Sequence, residues 1–335
     1  MALPAIRDVR RHFRGETLAI AARPSVAELF RAVPGIDGIA VLDSVQAIAA
    51  LEPSVGLLLP NSFGSALMLA RARVKERWGY RADWRGMLLT RAVRRPKGKV
   101  HVGEYYAHLV RELGVETGPL TPQVSVPARA RESAAALLAD RGWKPGQPVV
   151  AIAPGAAFGH AKRWPSKRFA ELSTQLRQDS RAACVIIGRA EDRDATNEVD
   201  GINLVGHTDL LMLMGVLSHS CALVANDSGA LHLAAAIGVP VIGIYGPTDE
   251  RYSHPLTAIE GASDRVRTLA EPVFCRPCFL ADCPIDHRCM KRISTGRVLD
   301  ALRPFLEESR ERCGAMGPPQ AIGVERGDGV PASEQ

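Results

Sequence analysis

The stretch ALVANDSGALHLAAA, residues 222–236, sets Asn226, Asp227, Ser228 and Gly229 between two apolar runs. A buried strand that ends at 226–227 and a helix that opens at 228–229 aim the backbone N–H groups of Ser228, Gly229 and Ala230 out of a positive helix terminus. That terminus falls at the carboxyl edge of a parallel sheet, where α/β folds bind phosphates. Gly229 lets an anion approach the backbone, and His232, four residues after Ser228, shares its helix face and adds a donor. The plainer reading is that Asp227 or Ser228 only caps the helix.

A second strand-to-helix junction is AIAPGAAFGHAKRWPSKRFAEL, residues 151–172. Its strand ends at Pro154–Gly155, and the small-residue loop that follows carries Lys162 and Arg163 to the same edge as the Asp227 loop. Two such loops suit a diphosphate better than one phosphate, although a loop lysine is more often simply exposed. Trp164 reads as a packing anchor. In the third junction, VIIGRAEDRDATNEV (185–199), Glu191 follows the strand and could accept from ribose hydroxyls, or could enrich a first helical turn in negative charge beside Asp192. No G-x-G-x-x-G and no G-x-x-x-x-G-K-[ST] is present, so neither a dinucleotide oxidoreductase nor a P-loop NTPase is supported, and no cofactor is expected.

Four of the seven cysteines, Cys275, Cys278, Cys283 and Cys289, crowd one segment with His287 among them. Such a set could hold structural zinc, but its later spacings are irregular for a zinc ribbon. A free-thiol loop is favoured, and no catalytic metal is expected.

The elements that must position these residues alternate along the chain. Apolar runs at 17–23, 38–43 and 55–60, then 148–155, 182–188, 201–206, 221–227 and 240–246, predict strands. Helical patterns lie between them at 25–33, 44–52, 62–74, 166–178, 209–218 and 229–237. Continuous apolar strands separated by helices mean parallel sheets covered on both faces, hence two doubly wound α/β domains. The stretch 117–130, with three prolines, is the expected linker, dividing a domain at 1–123 from one at 124–313. Residues 314–335, rich in Gly and Pro, are expected to be a disordered tail. The chain opens on an apolar helical stripe of Ala2, Leu3, Ile6, Val9 and Phe13, where such a domain ordinarily opens on a strand, so either the domain has an unusual topology or, as expected, its first strand lies upstream of Met1.

Composition is that of a globular protein, 46% apolar and 23% charged. No run approaches a membrane span and the start lacks the order of a signal peptide, which predicts a cytoplasmic protein. The net charge of +6 is uneven: residues 71–99 hold eleven Lys or Arg against Glu76 and Asp83. This predicts an anionic partner, or else a solvated basic face. Too few aromatic residues are interleaved there to form a stacking platform for nucleic acid.

The segments PGAAFGHAKRWP, VANDSGALHLAAAIGVPVIGIYGPT and LLLPNSFGSALMLARARVKERWGYRADWRGMLLT together resemble the ADP-heptose:lipopolysaccharide heptosyltransferases, most of all their heptosyltransferase II branch, over roughly residues 1–300. The resemblance implies a glycosyltransferase-B fold, two Rossmann-like domains facing a cleft. It implies metal-independent, inverting transfer of heptose from an ADP-heptose donor to the heptosyl-Kdo-lipid A inner core. The implied roles are neutralisation of the leaving diphosphate by Lys162, with Ser228, Gly229 and Ala230 amides and His232 beside it; Asp227 at the donor sugar or its loop; Glu191 at the ribose; Gly155 and Arg163 lining the donor site. The anionic glycolipid acceptor gives the basic stretch a natural partner and implies a peripheral position on the inner face of the inner membrane. The family's general-base Asp, in a Gly-Asp loop before the first helix, has no counterpart here, so the chain is expected to be a poor catalyst without upstream residues. Alternatives are transfer at another inner-core step, a nucleotide-sugar 2-epimerase, and a donor-binding protein that transfers nothing.

Overall fold

The structure, a computed structural model, describes residues 1–157 and 159–315, with side chains through 311. In the first domain the order is α1 (Leu3–His12), β1 (Ala19–Ala22), α2 (Pro24–Ala27), β2 (Gly38–Val41), α3 (Val45–Ala49) and β3 (Val55–Leu58). It continues with α4 (Phe63–Arg71), β4 (Glu76–Tyr80), β5 (Arg91–Val93) and α5 (Val102–Glu112). All its strand pairs are parallel, but they form two separate sheets, β1-β2 and β3-β4-β5. Helix α1 joins them. Its Leu3 and Ile6 pack with Leu18, Ile20 and Leu59, and its Ala5 and Val9 lie in the cluster that takes in Leu57 of β3 and Val110 of α5.

The polar side of α1 fixes the connection between the domains. Asp8, only 1% exposed, accepts from Arg7 (2.9 Å) and from the Gly118 amide (3.1 Å). Arg7 also donates to the Pro119 and Thr121 carbonyls, and Arg11 to that of Glu116. The proline-rich connection is therefore strapped to α1 by charge-assisted hydrogen bonds. It is also shorter than expected: Val124 and Val126 already pack on the second domain's core, and α6 (Ala128–Asp140) begins inside the expected linker.

The second domain continues with β6 (Val149–Ala153), α7 (Ser166–Ser180), β7 (Ala183–Ile186), β8 (Ile202–Asn203) and α8 (Leu210–Ser218). Then come β9 (Ala222–Asn226), α9 (Gly229–Ala236), β10 (Val241–Tyr245), α10 (Glu250–Ser253), β11 (Val266–Ala270), α11 (Arg288–Lys291) and α12 (Thr295–Ala315). Its six strands form one parallel sheet in the order β11-β10-β9-β6-β7-β8. Alternate residues of β6 go to opposite faces: Val150 and Ile152 meet Phe169, Leu172 and Leu302 from α7 and α12. Val149, Ala151 and Ala153 share the other face with Leu138, Leu217 and Leu231 from α6, α8 and α9. Both faces are covered, which is why these strands read as unbroken apolar runs.

The chain order reverses between β6 and β9, which pair Ile152 with Val224 and Ala153 with Ala225. Their two following loops thus emerge side by side at the carboxyl edge, the position at which open α/β sheets bind ligands. The expected strand at 201–206 shrinks to the two residues of β8, because the sheet ends there and Leu204 and Val205 turn into the cores instead. Apart from 314 and 315, which end α12, the expected tail lies outside the described residues. The domains touch where His101 Nε2 lies 3.0 Å from the His254 carbonyl oxygen, with the two rings 4.3 Å apart. Lys99 sits over the Tyr252 and Phe279 rings at 5.7 and 5.6 Å.

Close backbone packing gives a paired test. A Cβ on Gly215 of α8 would lie 2.2 Å from the Ala130 carbonyl oxygen of α6, whereas one on Gly64, in the first turn of α4, meets nothing within 4 Å. In urea unfolding, Gly215→Ala is expected to lose about 1–3 kcal/mol, and Gly64→Ala to gain about 0.5 kcal/mol.

Candidate active site

Asn226, the last residue of β9, is fully buried and joins the two loops. Its Oδ1 accepts from the Trp164 amide (3.0 Å) and its Nδ2 donates to the Pro154 carbonyl (2.7 Å). Trp164 is buried as an anchor: its Nε1 donates to the Ile293 carbonyl (2.9 Å) and its ring meets Phe169 edge-on at 4.8 Å. These bonds hold the 154–164 loop against the end of β9, so that Lys162 faces the next residue, Asp227.

Asp227 is buried, and one carboxylate oxygen is shared: Oδ2 accepts from Lys162 Nζ (2.7 Å) and from Thr248 Oγ1 (2.8 Å). His232 Nε2 lies 3.8 Å from the other oxygen. Burial pushes His232 down from 6.5 to about 4, against the opposing pull of Asp227, so the ring is neutral at pH 7.

Ser228 has the extended backbone of a helix cap, but its hydroxyl makes no capping bond, so neither it nor the engaged Asp227 merely caps α9. Gly229 is open, with nothing within 4 Å of where a Cβ would stand, and Ala230 follows it in the first turn. Buried polar atoms ordinarily have partners. Among the described residues six side-chain atoms of this kind have no hydrogen-bond partner, and four of them are Ser228 Oγ, His232 Nδ1, Arg163 Nε and Asp192 Oδ1, all on the loops and first helical turns of this edge.

At the third junction Glu191 and Asp192 both stand in the first turn of a short 3-10 helix, the second of the two readings above. Glu191 is 74% exposed and lies 3.8 Å from Arg189, whereas its neighbour Asp192 is the buried acid. Asp192 Oδ2 accepts from the Arg189 amide (3.0 Å) and Oδ1 lies 3.7 Å from Arg163. Gly155 is small of necessity, since a Cβ there would lie 2.2 Å from the Asp192 carboxyl carbon. Alternation of acidic residues, Glu191-Asp192-Arg193-Asp194, left the inward one undecidable from sequence.

Sequence reasoning gave Thr248 no role and missed the segment that supports it. Arg276 donates to the Gly246 and Thr248 carbonyls and pairs with Glu250; the Cys278 amide donates to Pro247 O (3.0 Å); and Ala281 O accepts from the Ala161 amide (2.9 Å). Gly159, at φ 73°, lets the two backbones meet there, as any Cβ would overlap Ala281. The cysteine-bearing loop therefore supports both the Lys162 loop and the Thr248 loop. Its four thiols are free, and burial raises that of Cys289. Among the described residues no group of three or more His, Cys, Asp or Glu is arranged to hold a metal ion.

Removing the Asn226 amide strands a buried N–H and a buried C=O together. Asn226→Ala is expected to lower stability in urea unfolding by about 2–4 kcal/mol, one desolvation penalty for each group, while a loss under about 1 kcal/mol would mean that the loops are held by something else.

Among known proteins this arrangement has relatives. Residues 44–287 match the model of glycosyltransferase family 9 (heptosyltransferase). Lipopolysaccharide heptosyltransferase 2 of Salmonella typhimurium is 32% identical over 218 residues, 60% of this chain and 62% of that protein, so the match spans less than two thirds of the relative's length. Lipooligosaccharide heptosyltransferase 2 of Haemophilus influenzae is 31% identical over 64% of this chain and 68% of its own. The fold is that of the Escherichia coli ADP-heptose lipopolysaccharide heptosyltransferase II structure, with a TM-score of 0.76, 24% identity, and coverage of 92% of this chain and 94% of that one. A glycosyltransferase family 9 structure from Veillonella parvula superposes with a TM-score of 0.74, at 16% identity over 92% of this chain and 93% of that one. The family model covers most of the chain, including both loops joined by Asn226, and the chain belongs to glycosyltransferase family 9, the heptosyltransferases.

Proposed function

We propose that the chain is an inverting glycosyltransferase that moves heptose from ADP-L-glycero-D-manno-heptose to the heptosyl-Kdo-lipid A inner core of lipopolysaccharide. The observation that carries the reading is the cluster of partnerless buried donors and acceptors around Lys162 and the α9 terminus. A diphosphate supplies acceptor oxygens for Ser228 Oγ, for the Gly229 and Ala230 amides and for a His232 N–H. Leaving-group expulsion puts negative charge on that diphosphate. The fixed helix terminus and Lys162 meet it without rearranging, which is electrostatic catalysis. Asp227 and Thr248 hold the Lys162 ammonium at the edge of the site. Arg163, Gly155 and Asp192 line the adjoining part of the donor pocket, with Glu191 at its outer rim. Catalysis runs without a metal or a cofactor in this reading, since the protein supplies the cations itself.

The acceptor is an anionic glycolipid, and the basic first domain is the half that receives it. No helix among the described residues is long and apolar enough to cross a membrane. The protein in this reading works from the cytoplasm, on the inner face of the inner membrane, as a peripheral protein.

The deciding experiment is mass spectrometry of heptosyl-Kdo-lipid A incubated with ADP-heptose. Addition of one heptose supports the assignment. Binding of ADP with no transfer leaves the donor half standing and removes the acceptor. Lys162→Ala is expected to lower kcat/KM by about 10²–10³-fold, the usual loss for one fixed donor to a developing charge.

His232 gives a pH test. The unfolded chain holds the His232 proton near 6.5 and the folded one near 4, so stability is full above 6.5 and is lost as pH falls toward 4. A bound diphosphate opposes this shift by favouring the charged ring, so binding takes up a proton. ADP affinity, measured by calorimetry, is then expected to rise between about pH 7 and 5 more steeply than in His232→Asn. Equal slopes would remove His232 from the phosphate site.

A further inference from the structure

We infer that the turn carrying Trp84 and Met87 is the element that enters an anionic phospholipid bilayer, an inference that rests on the peripheral-membrane reading above. Trp84 is 89% exposed and Met87 80%, and Phe63, the first residue of α4, is exposed as well. None of these is left outside for want of order. Arg85, between them in sequence, is fully buried and ties the turn to the loop after β3. It donates to the Tyr80 carbonyl (2.8 Å), to the Pro60 and Ser62 carbonyls and to Asn61 Oδ1 (3.4 Å). Asp83 and Trp84 both adopt the left-handed backbone, at φ 44° and 61°, a conformation bulky residues avoid. The buried guanidinium thus fixes a strained turn that holds an indole away from the protein. Strain of this kind persists where the surroundings over-determine it and gathers at sites of function.

The parallel sheet sorts the cations of residues 71–99 into two groups. Arg71, Arg73 and Lys75 precede β4 and stand at the amino edge; Arg81 follows β4, and Arg94, Arg95 and Lys97 follow β5, at the carboxyl edge with the apolar turn. Others are used internally. Arg77 donates to the Val74 and Leu88 carbonyls, and Arg91 stacks on Trp78 at 4.6 Å while donating to Leu113 O. Arg81, by contrast, is exposed and its stem lies across Gly86, against the turn. Arg95 lies 3.8 Å from Asp83, the one acid of the turn. The result is an apolar tip rimmed by Arg81, Arg94, Arg95 and Lys97. Charge complementarity selects an anionic surface over a zwitterionic one, and an indole with an apolar body and a polar N–H suits the headgroup boundary. Each cation near such a surface contributes roughly fivefold in partition. Because the same edge carries the Lys99–His101 segment that touches the second domain, the tip sits beside the cleft between the domains.

The test is co-sedimentation of the full chain with vesicles of phosphatidylglycerol and phosphatidylcholine, and with phosphatidylcholine alone. Binding to the anionic vesicles only, weakened by salt, with a blue shift in the Trp84 emission taken as the wild-type minus Trp84→Phe difference, is the expected result. Trp84→Ser/Met87→Ser and Arg94→Glu/Arg95→Glu, each with an unchanged melting temperature, are expected to lower partition at least about tenfold. Turnover of a lipid-free heptosyl-Kdo oligosaccharide is expected to stay at the wild-type rate in Trp84→Ser/Met87→Ser. Wild-type binding that survives in Trp84→Ser/Met87→Ser overturns this inference and leaves peripheral association standing. No wild-type binding to anionic vesicles overturns both. Loss of turnover on the lipid-free acceptor in Trp84→Ser/Met87→Ser places the turn in the sugar site and overturns the inference, without touching the transferase reading.

Discussion

A single buried amide holds the carboxyl edge of the second sheet together. Asn226 stands at the end of a strand where the backbone ladder stops, and its side chain replaces the ladder with two bonds to a loop from the neighbouring strand. Everything beyond it is positioned relative to that clamp: Asp227 is the next residue, Lys162 the second before the clamped amide of Trp164, and Ser228 the cap of the following helix. An Asp at 226 would still accept from the Trp164 N–H but would set a carboxylate oxygen against the Pro154 carbonyl. A Leu would satisfy neither group. Only a side chain that both donates and accepts does both tasks in one place, which explains a fully buried polar residue in an otherwise aliphatic strand.

Around that clamp the charges are arranged in a chain of dependence. Thr248 shares the Asp227 oxygen that binds Lys162, Arg276 fixes the backbone of Thr248, and Glu250 pairs with Arg276. Each member is satisfied by the next, so Lys162 is held by a network rather than by one ion pair, and partly buried networks of this kind are rigid when complete. His232 is the neutral member. Its burial keeps the site from carrying a further positive charge.

The sequence made the second domain readable and the first only partly so, for a physical reason. Strands β6, β7, β9 and β10 are covered on both faces and therefore spell themselves as aliphatic runs. Strand β4, ERWGY, mixes charge and aromatic residues because Arg77 and Trp78 find partners in the adjacent turn and strand, and three-residue β5 is too short to show a period. Strand β11, at the sheet's edge, is only half-buried and lost in the same way. In the site, Lys162, Asp227, Ser228 and His232 were legible because they sit in the loops and first helical turn that follow strand ends. Thr248 and Arg276 were not, since their contacts join segments far apart in the chain. Asp192 and Glu191 are adjacent acids, and only the fold tells which one turns inward.

The two sheets of the first domain bear on mechanics. Six strands in the second domain share one ladder, so a force applied at its edge is resisted by backbone hydrogen bonds across its whole width. Strands β1 and β2 connect to β3, β4 and β5 through the side chains of α1, and the weak link is a greasy one. Sliding such a seam repacks methyl groups, and leaves every ladder intact. Under the proposed function, the half that grips a compact nucleotide is thus the stiff one, and the half facing a large, irregular glycolipid is compliant.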